Sequence, residues 1–112
     1  MGANTELEIL RIFIGETQKH KGRPLYEAIV QEAREHGLVG AMVSRGMMGF
    51  WKYGPISTLK ILRLSEDLPI SIEIAGEHDR IAVFLPVLEV MIKQGLVTLE
   101  KVNVVINKDE KE

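Results

Sequence analysis

Two irregular segments hold most of the residues that could do chemistry. The first is Lys19-His20-Lys21-Gly22-Arg23, which leads into the first predicted helix. Cations beside the free backbone N–H groups of a helix start suit an anion. The same residues also suit a solvated basic loop. The second segment runs from Arg45 to Pro69 and opens Arg45-Gly46-Met47-Met48-Gly49-Phe50-Trp51-Lys52-Tyr53-Gly54-Pro55. Its paired glycines let a backbone approach a ligand closely. Phe50, Trp51 and Tyr53 offer stacking surfaces, and Arg45 and Lys52 offer charge. A connection of this length inside one domain is uncommon and usually functional. The competing reading is an extended hairpin over 51–69, because Leu59 to Leu64 (LKILRL) has a strand's composition.

Other chemistries find little support. The three histidines, His20, His36 and His78, have no partner at i, i+4, so no metal site is expected. No Ser–His or paired-carboxylate spacing stands out, and the reading is of a chain with no catalytic residues and no required cofactor. The chain has no cysteine, which removes disulfides, thiolate nucleophiles and cysteine-based metal sites. A net charge of −2 gives no positive field for nucleic acid. Arg45-Gly46 with Gly49-Phe50-Trp51-Lys52-Tyr53 imitates the RNA-recognition signature, but with one residue too many and after the wrong strand. The polar start predicts no secretory leader. The apolar run from Ile81 to Ile92 is broken by Pro86 and Glu89 and is too short to span a bilayer. A cytoplasmic protein without membrane insertion is therefore expected.

These segments need a scaffold, and the hydrophobic pattern supplies one. Glu6 to Ile14 reads as a strand, and Gly15 to Arg23 as a loop. Pro24 fits the first turn of a helix that carries Leu25, Ala28, Ile29 and Ala33 on one stripe and ends at Gly37. Gly40 to Met47 and Ile70 to Ala75 read as strands. Asp79 opens a second helix with Ile81, Phe84, Leu85, Leu88, Met91 and Ile92. Pro86 in its second turn predicts a kink or a later start. Leu99 to Ile106 reads as the last strand, and 107–112 as a flexible tail. The triplets Gly37-Leu38-Val39 and Gly95-Leu96-Val97 fall at the same place in the two halves, each leading into a strand. The chain thus reads as one α+β domain over 1–112, a ferredoxin-like β-α-β-β-α-β sandwich. It would have a four-stranded antiparallel sheet with two helices on one face. Yet the first strand is apolar on both sides, with Leu7, Ile9 and Phe13 against Leu10, Ile12 and Ile14. A face open to water should be polar, so self-association is expected.

Several spaced blocks carry a resemblance. They are Gly15-Glu16, His20, Gly22-Arg23-Pro24-Leu25-Tyr26-Glu27, Gly37-Leu38, Gly40-Ala41, Arg45-Gly46 with Gly49-Phe50, Asp67-Leu68-Pro69 and Gly95-Leu96-Val97. Together they resemble an uncharacterised PII-like family of prokaryotic proteins, a domain of unknown function with the nitrogen-regulatory PII superfamily fold. The resemblance implies a homotrimer with its sheets facing inward, and signalling by a small anionic effector held in clefts between subunits. In that family pattern, Gly46 and Gly49 would admit phosphate or base, and Arg45, His20, Lys21 and Arg23 would supply polar and charged contacts. Phe50 or Trp51 would stack on an adenine. PII proteins carry a glycine-rich phosphate loop before the second helix. Here Ala75-Gly76-Glu77-His78-Asp79 stands instead, which favours AMP over a triphosphate. The 51–69 loop would contact a protein or membrane-transporter partner. Two other readings stay open: a small enzyme using Arg45, His20 and Glu16 at a subunit junction, and a purely structural oligomeric module.

Overall fold

The computed structural model describes residues 6–52, 54–59 and 67–109. In chain order these form β1 (Glu6–Gly15), β2 (Lys19–His20), β3 (Arg23–Pro24), α1 (Leu25–Glu35), β4 (Gly40–Arg45) and β5 (Met48–Gly49). Then come β6 (Ser57–Thr58), β7 (Pro69–Gly76), α2 (His78–Met91) and β8 (Leu96–Asn103). Tyr53 and 60–66 lie outside the described residues, and so does the strand expected to Leu64, apart from Leu59.

Successive side chains of a strand point to opposite faces. On β1 this sends Leu10, Ile12 and Ile14 into full burial and leaves Leu7, Ile9, Arg11 and Phe13 half-buried on the other side. Ile70, Ile72 and Ile74 of β7 join the buried set, as do Leu25, Ala28, Ile29 and Ala33 of α1 and Ile81, Phe84, Leu88 and Met91 of α2. Both helices therefore pack on one face of the sheet. Full burial of one such aliphatic side chain is worth about 1.5–3 kcal/mol. The sheet order is β4-β7-β1-β8, and every neighbouring pair is antiparallel. This is the four-stranded α+β sheet with two helices that the pattern predicts.

Local signals set the helix ends, with small shifts. Pro24 stands at the N-cap of α1 rather than inside its first turn. At the other end Gly37 has φ 71°. Its N–H reaches the Arg34 carbonyl at 3.1 Å, and the Leu38 N–H reaches Ala33 at 3.2 Å. That double return is a Schellman cap, which glycine adopts without strain. α2 begins at His78, one residue early, and runs through the exposed Pro86 to Met91 without the expected later start. β4 stops at Arg45 rather than Met47. β8 starts at Leu96 and ends at Asn103, three residues before the expected start and end. Its pairing with β1 runs from Phe13↔Leu96 to Glu6↔Asn103, so Val104 to Ile106 lie past the last rung.

Two short ladders decorate this core. β2 and β3 pair across Lys21 (φ 52°) and Gly22 (φ 80°), the two positive values that a primed two-residue turn requires. β5 and β6 pair Met48 with Thr58 and Gly49 with Ser57, forming the base of an arm between β4 and β7.

Candidate functional site

The arm is tied where it leaves and rejoins the sheet. The Gly46 N–H donates to the Pro69 carbonyl at 2.7 Å. A Cβ on Gly46 would stand 2.7 Å from Pro69 Cγ, and one on Gly49 would stand 2.9 Å from the same atom. These glycines let the arm lie on a proline ring. Leu59 N–H donates to Met47 O at 2.9 Å and closes the base of the arm.

The end of β1 meets the same place. A Cβ on Gly15 would fall 1.9 Å from Asp67 Oδ2. Asp67 Oδ1 accepts from the Thr17 backbone N–H at 2.7 Å and from its hydroxyl at 2.9 Å. The Glu16 N–H donates to Leu68 O at 2.9 Å, and the Glu16 carboxylate holds Arg45 Nη1 at 3.2 Å. Gly15-Glu16-Thr17, Arg45-Gly46, Gly49 and Asp67-Leu68-Pro69 are far apart in sequence, yet they converge on one end of the sheet.

Against this knot lies a pocket of about 300 Å³. Its floor is Phe13, Pro69 and Leu96. Phe13 and Leu96 are cross-strand partners on the face opposite α1 and α2. Its wall comes from the arm, with Gly49, Phe50, Trp51 and Pro55, and Asp67 adds the acidic edge. Such a mostly apolar concavity with a few polar groups is the usual form of a small-molecule site. The nearest charges are mixed, because Arg45 is shared with Glu16.

The basic hairpin makes a second place. His20, Lys21 and Arg23 border a separate cavity of about 220 Å³ beside α1, together with Gln31, Glu32 and Glu35. The Arg23 guanidinium donates from Nη2 to Gln31 Oε1. The eight candidate residues thus divide. Gly49, Phe50 and Trp51 line the arm pocket, Arg45 and Gly46 sit at the arm's root, and His20, Lys21 and Arg23 stand at the other cavity. Glu16 is engaged with Arg45, while His20 lines that other cavity. A roomier groove of about 620 Å³ between α2 and β8 is bordered mainly by Leu85, Pro86, Ile92 and Leu99.

The floor was not singled out by residue type. Phe13 was legible only as a large side chain on the wrong face of β1, and Leu96 only as the residue after Gly95. A second unforeseen contact joins β1 to α2. The Glu8 side chain, 5 % exposed, accepts from His78 Nδ1 at 2.8 Å. This partner raises the His78 pKa above its ordinary value, first through the hydrogen bond and then through the charge. The signal was Glu8 itself, a charged residue in the even, buried register of β1.

Among the described residues no group of three or more His, Asp or Glu is placed to hold a metal ion. No helix there is long and apolar enough to cross a membrane.

Comparison with known proteins places this arrangement. A UPF0166 protein of Aquifex aeolicus (strain VF5) is 38 % identical over 99 residues, covering 88 % of this chain and 92 % of the relative. A UPF0166 protein of Methanocaldococcus jannaschii is 33 % identical over 93 residues, covering 82 % and 85 %. Among solved structures, CPII of Thiomonas intermedia K12 superposes with a TM-score of 0.62 at 18 % identity, covering 88 % of each chain. CPII is a nitrogen regulatory PII-like protein, and that structure holds ADP, AMP and bicarbonate. A PII-like protein of Thermus thermophilus, assigned to signaling, superposes at 0.64 with 17 % identity, covering 90 % and 91 %. The fold is therefore PII-like. The family model for DUF190, "Uncharacterized ACR, COG1993", matches residues 7–104. With nearly the whole domain inside that match, the chain belongs to the DUF190 family.

Proposed function

We propose that this protein is a PII-like homotrimeric regulator rather than an enzyme. It binds a small anionic effector between subunits, an adenine nucleotide such as AMP, and requires no cofactor. The position of the arm pocket carries this reading. Its floor, Phe13 and Leu96, is the end of the sheet face that no helix covers, and its wall is the arm. A second copy seated on that face closes the pocket from above, so ligand contact and subunit contact share one surface.

The wall suits a base, with Trp51 or Phe50 stacking on the purine and the Gly49 backbone beside it. A volume of about 300 Å³ lies at the small end for ligand pockets. It takes a base more readily than a whole nucleotide and leaves the phosphate toward the subunit junction. Charge then limits the phosphate count. Glu16 pairs with Arg45, and Asp67 adds a second carboxylate to the pocket, which leaves the arm's root without excess positive charge. His20, Lys21 and Arg23 would have to come from a neighbouring copy. A monophosphate needs the fewest cations. The nucleotides bound by CPII support the ligand class.

The arm is the output. Met47, Met48, Phe50 and Ile56 are exposed apolar side chains at its base. Flexible methionines suit an adaptable docking surface for a protein partner, a membrane transporter included. Ligand contact at Phe50 and Trp51 orders the arm and so changes what that surface presents, through a higher affinity for the ordered arrangement.

Titration calorimetry against AMP, ADP, ATP and cyclic nucleotides tests the site. Heat is expected with AMP, and Trp51→Ala or Arg45→Ala should weaken binding at least tenfold. Silence with every nucleotide at about 1 mM, an affinity weaker than about −4 kcal/mol, overturns the proposal.

A further inference from the structure

The sheet face opposite α1 and α2 mixes apolar and polar side chains around a charged cluster. Leu7, Ile9 and Phe13 of β1, Met42 of β4, and Leu96 and Val102 of β8 share that face with Arg11. Arg11 donates from Nε to Glu73 Oε2 at 2.9 Å and from Nη1 to Glu100 Oε1 at 2.5 Å. Glu73 is its cross-strand neighbour on β7. Glu100 lies two rungs along on β8, opposite Ile9, at the edge of the sheet. The three side chains remain between 39 % and 55 % exposed. A guanidinium has five N–H donors, and these two bonds use two of them. Each carboxylate keeps a second oxygen. Two carboxylates share one cation, so the cluster can both give and take a further contact. On a solvated face such a cluster needs no explanation. Here it shares the face with Leu7, Ile9, Phe13, Leu96 and Val102, so it is buried wherever they are, and a buried charge demands a partner.

Resting on the sheet-face assembly proposed above, we infer that Arg11, Glu73 and Glu100 form a polar lock that sets the register between copies of this chain. The guanidinium of one chain is also bonded to Glu100 of the partner subunit. Glu100 is the carboxylate that reaches a neighbour because β8 is the edge, whereas Glu73 stands on an inner strand. Apolar contacts slide over one another at little cost. A charged pair is satisfied in one alignment, and any slip leaves it desolvated without its partner. Around a closed ring each copy offers one guanidinium and receives one, so no chain is left over.

Mixing charge-reversed chains tests the contact. Tagged Arg11→Glu and untagged Glu100→Arg are purified separately, checked for folding by circular dichroism, and combined at micromolar concentration. Each alone should associate at least tenfold more weakly than the wild type, while the mixture forms mixed oligomers captured through the tag, stronger than either variant and weaker than the wild type because a ring of three restores two of its three contacts. A mixture that associates no better than either variant overturns the lock. Arg11→Met covers the case of a misfolded reversal. It should associate at least tenfold more weakly than the wild type at pH 7, because it leaves the two carboxylates without their cation. An Arg11→Met chain as fully assembled at pH 7 as the wild type also overturns the lock. A wild-type chain that sediments as a single copy overturns the assembly itself, a result distinct from a lock that fails within an assembled wild type.

Discussion

At the scale of the residue, much of the unusual composition is explained by contacts within the chain. Gly15 is glycine because the Asp67 carboxylate fills the place of its side chain. Asp67 stays there because Thr17 offers it two donors. Gly15→Ala would push Asp67 away and break both bonds, at a cost of about 1–3 kcal/mol in denaturant unfolding. In an Asp67→Ala background the same change should cost clearly less, since the two residues are coupled. Gly46→Ala meets a rigid proline ring instead of a movable carboxylate, so it should displace the arm and abolish nucleotide heat. His78 gives a pH signature. Its folded pKa is raised by Glu8, so the pair's contribution is fully present below the ordinary histidine pKa of about 6.5. It is lost as pH rises through the raised value. Lys101, the rung partner of Glu8, and Asp79 are the other charges that bear on this pair. The melting temperature should fall as pH rises from about 6 to 9, and His78→Gln should flatten that slope.

At the scale of the element, the sheet and the arm are separable. The β4–β7 ladder continues directly into the Gly46–Pro69 bond, so the two roots of the arm are neighbours without it. Replacing 48–66 with a short Gly-Ser linker should leave a cooperative melt and native circular dichroism while removing nucleotide binding. The core elements were legible from an Ile- and Leu-rich run on β1, alternation on β7 and a helical stripe on α1. β8 was misplaced because its sequence, Leu96 to Ile106, is strand-like throughout and the register with β1 chooses which part pairs. Pro86 does not delay the start of α2, because its exposed outer position lets the helix carry it. The arm pocket was half legible. Gly49, Phe50 and Trp51 announced themselves by type. Phe13 and Leu96 did not, because their role comes from sharing a rung across two strands distant in sequence.

At the scale of the whole molecule, α1 and α2 finish one face of the sheet, and among the described residues no helix covers the other. An assembled protein should show a melting temperature that rises with its own concentration and again with AMP. At a hundredfold excess over the dissociation constant, the ligand should add about 2.7 kcal/mol. Differential scanning fluorimetry over a tenfold protein series separates the two effects, and a melting temperature indifferent to concentration would count against assembly. The neighbouring anchor points, Gly46 on Pro69 and Glu16 on Leu68, have a longer-term consequence. Closing a loop between fixed ends costs only about 0.6 kcal/mol more for each doubling of its length. Lineages can therefore vary the length of the stretch between Gly46 and Pro69 at little cost in stability, provided that the pocket wall of Gly49, Phe50 and Trp51 is kept.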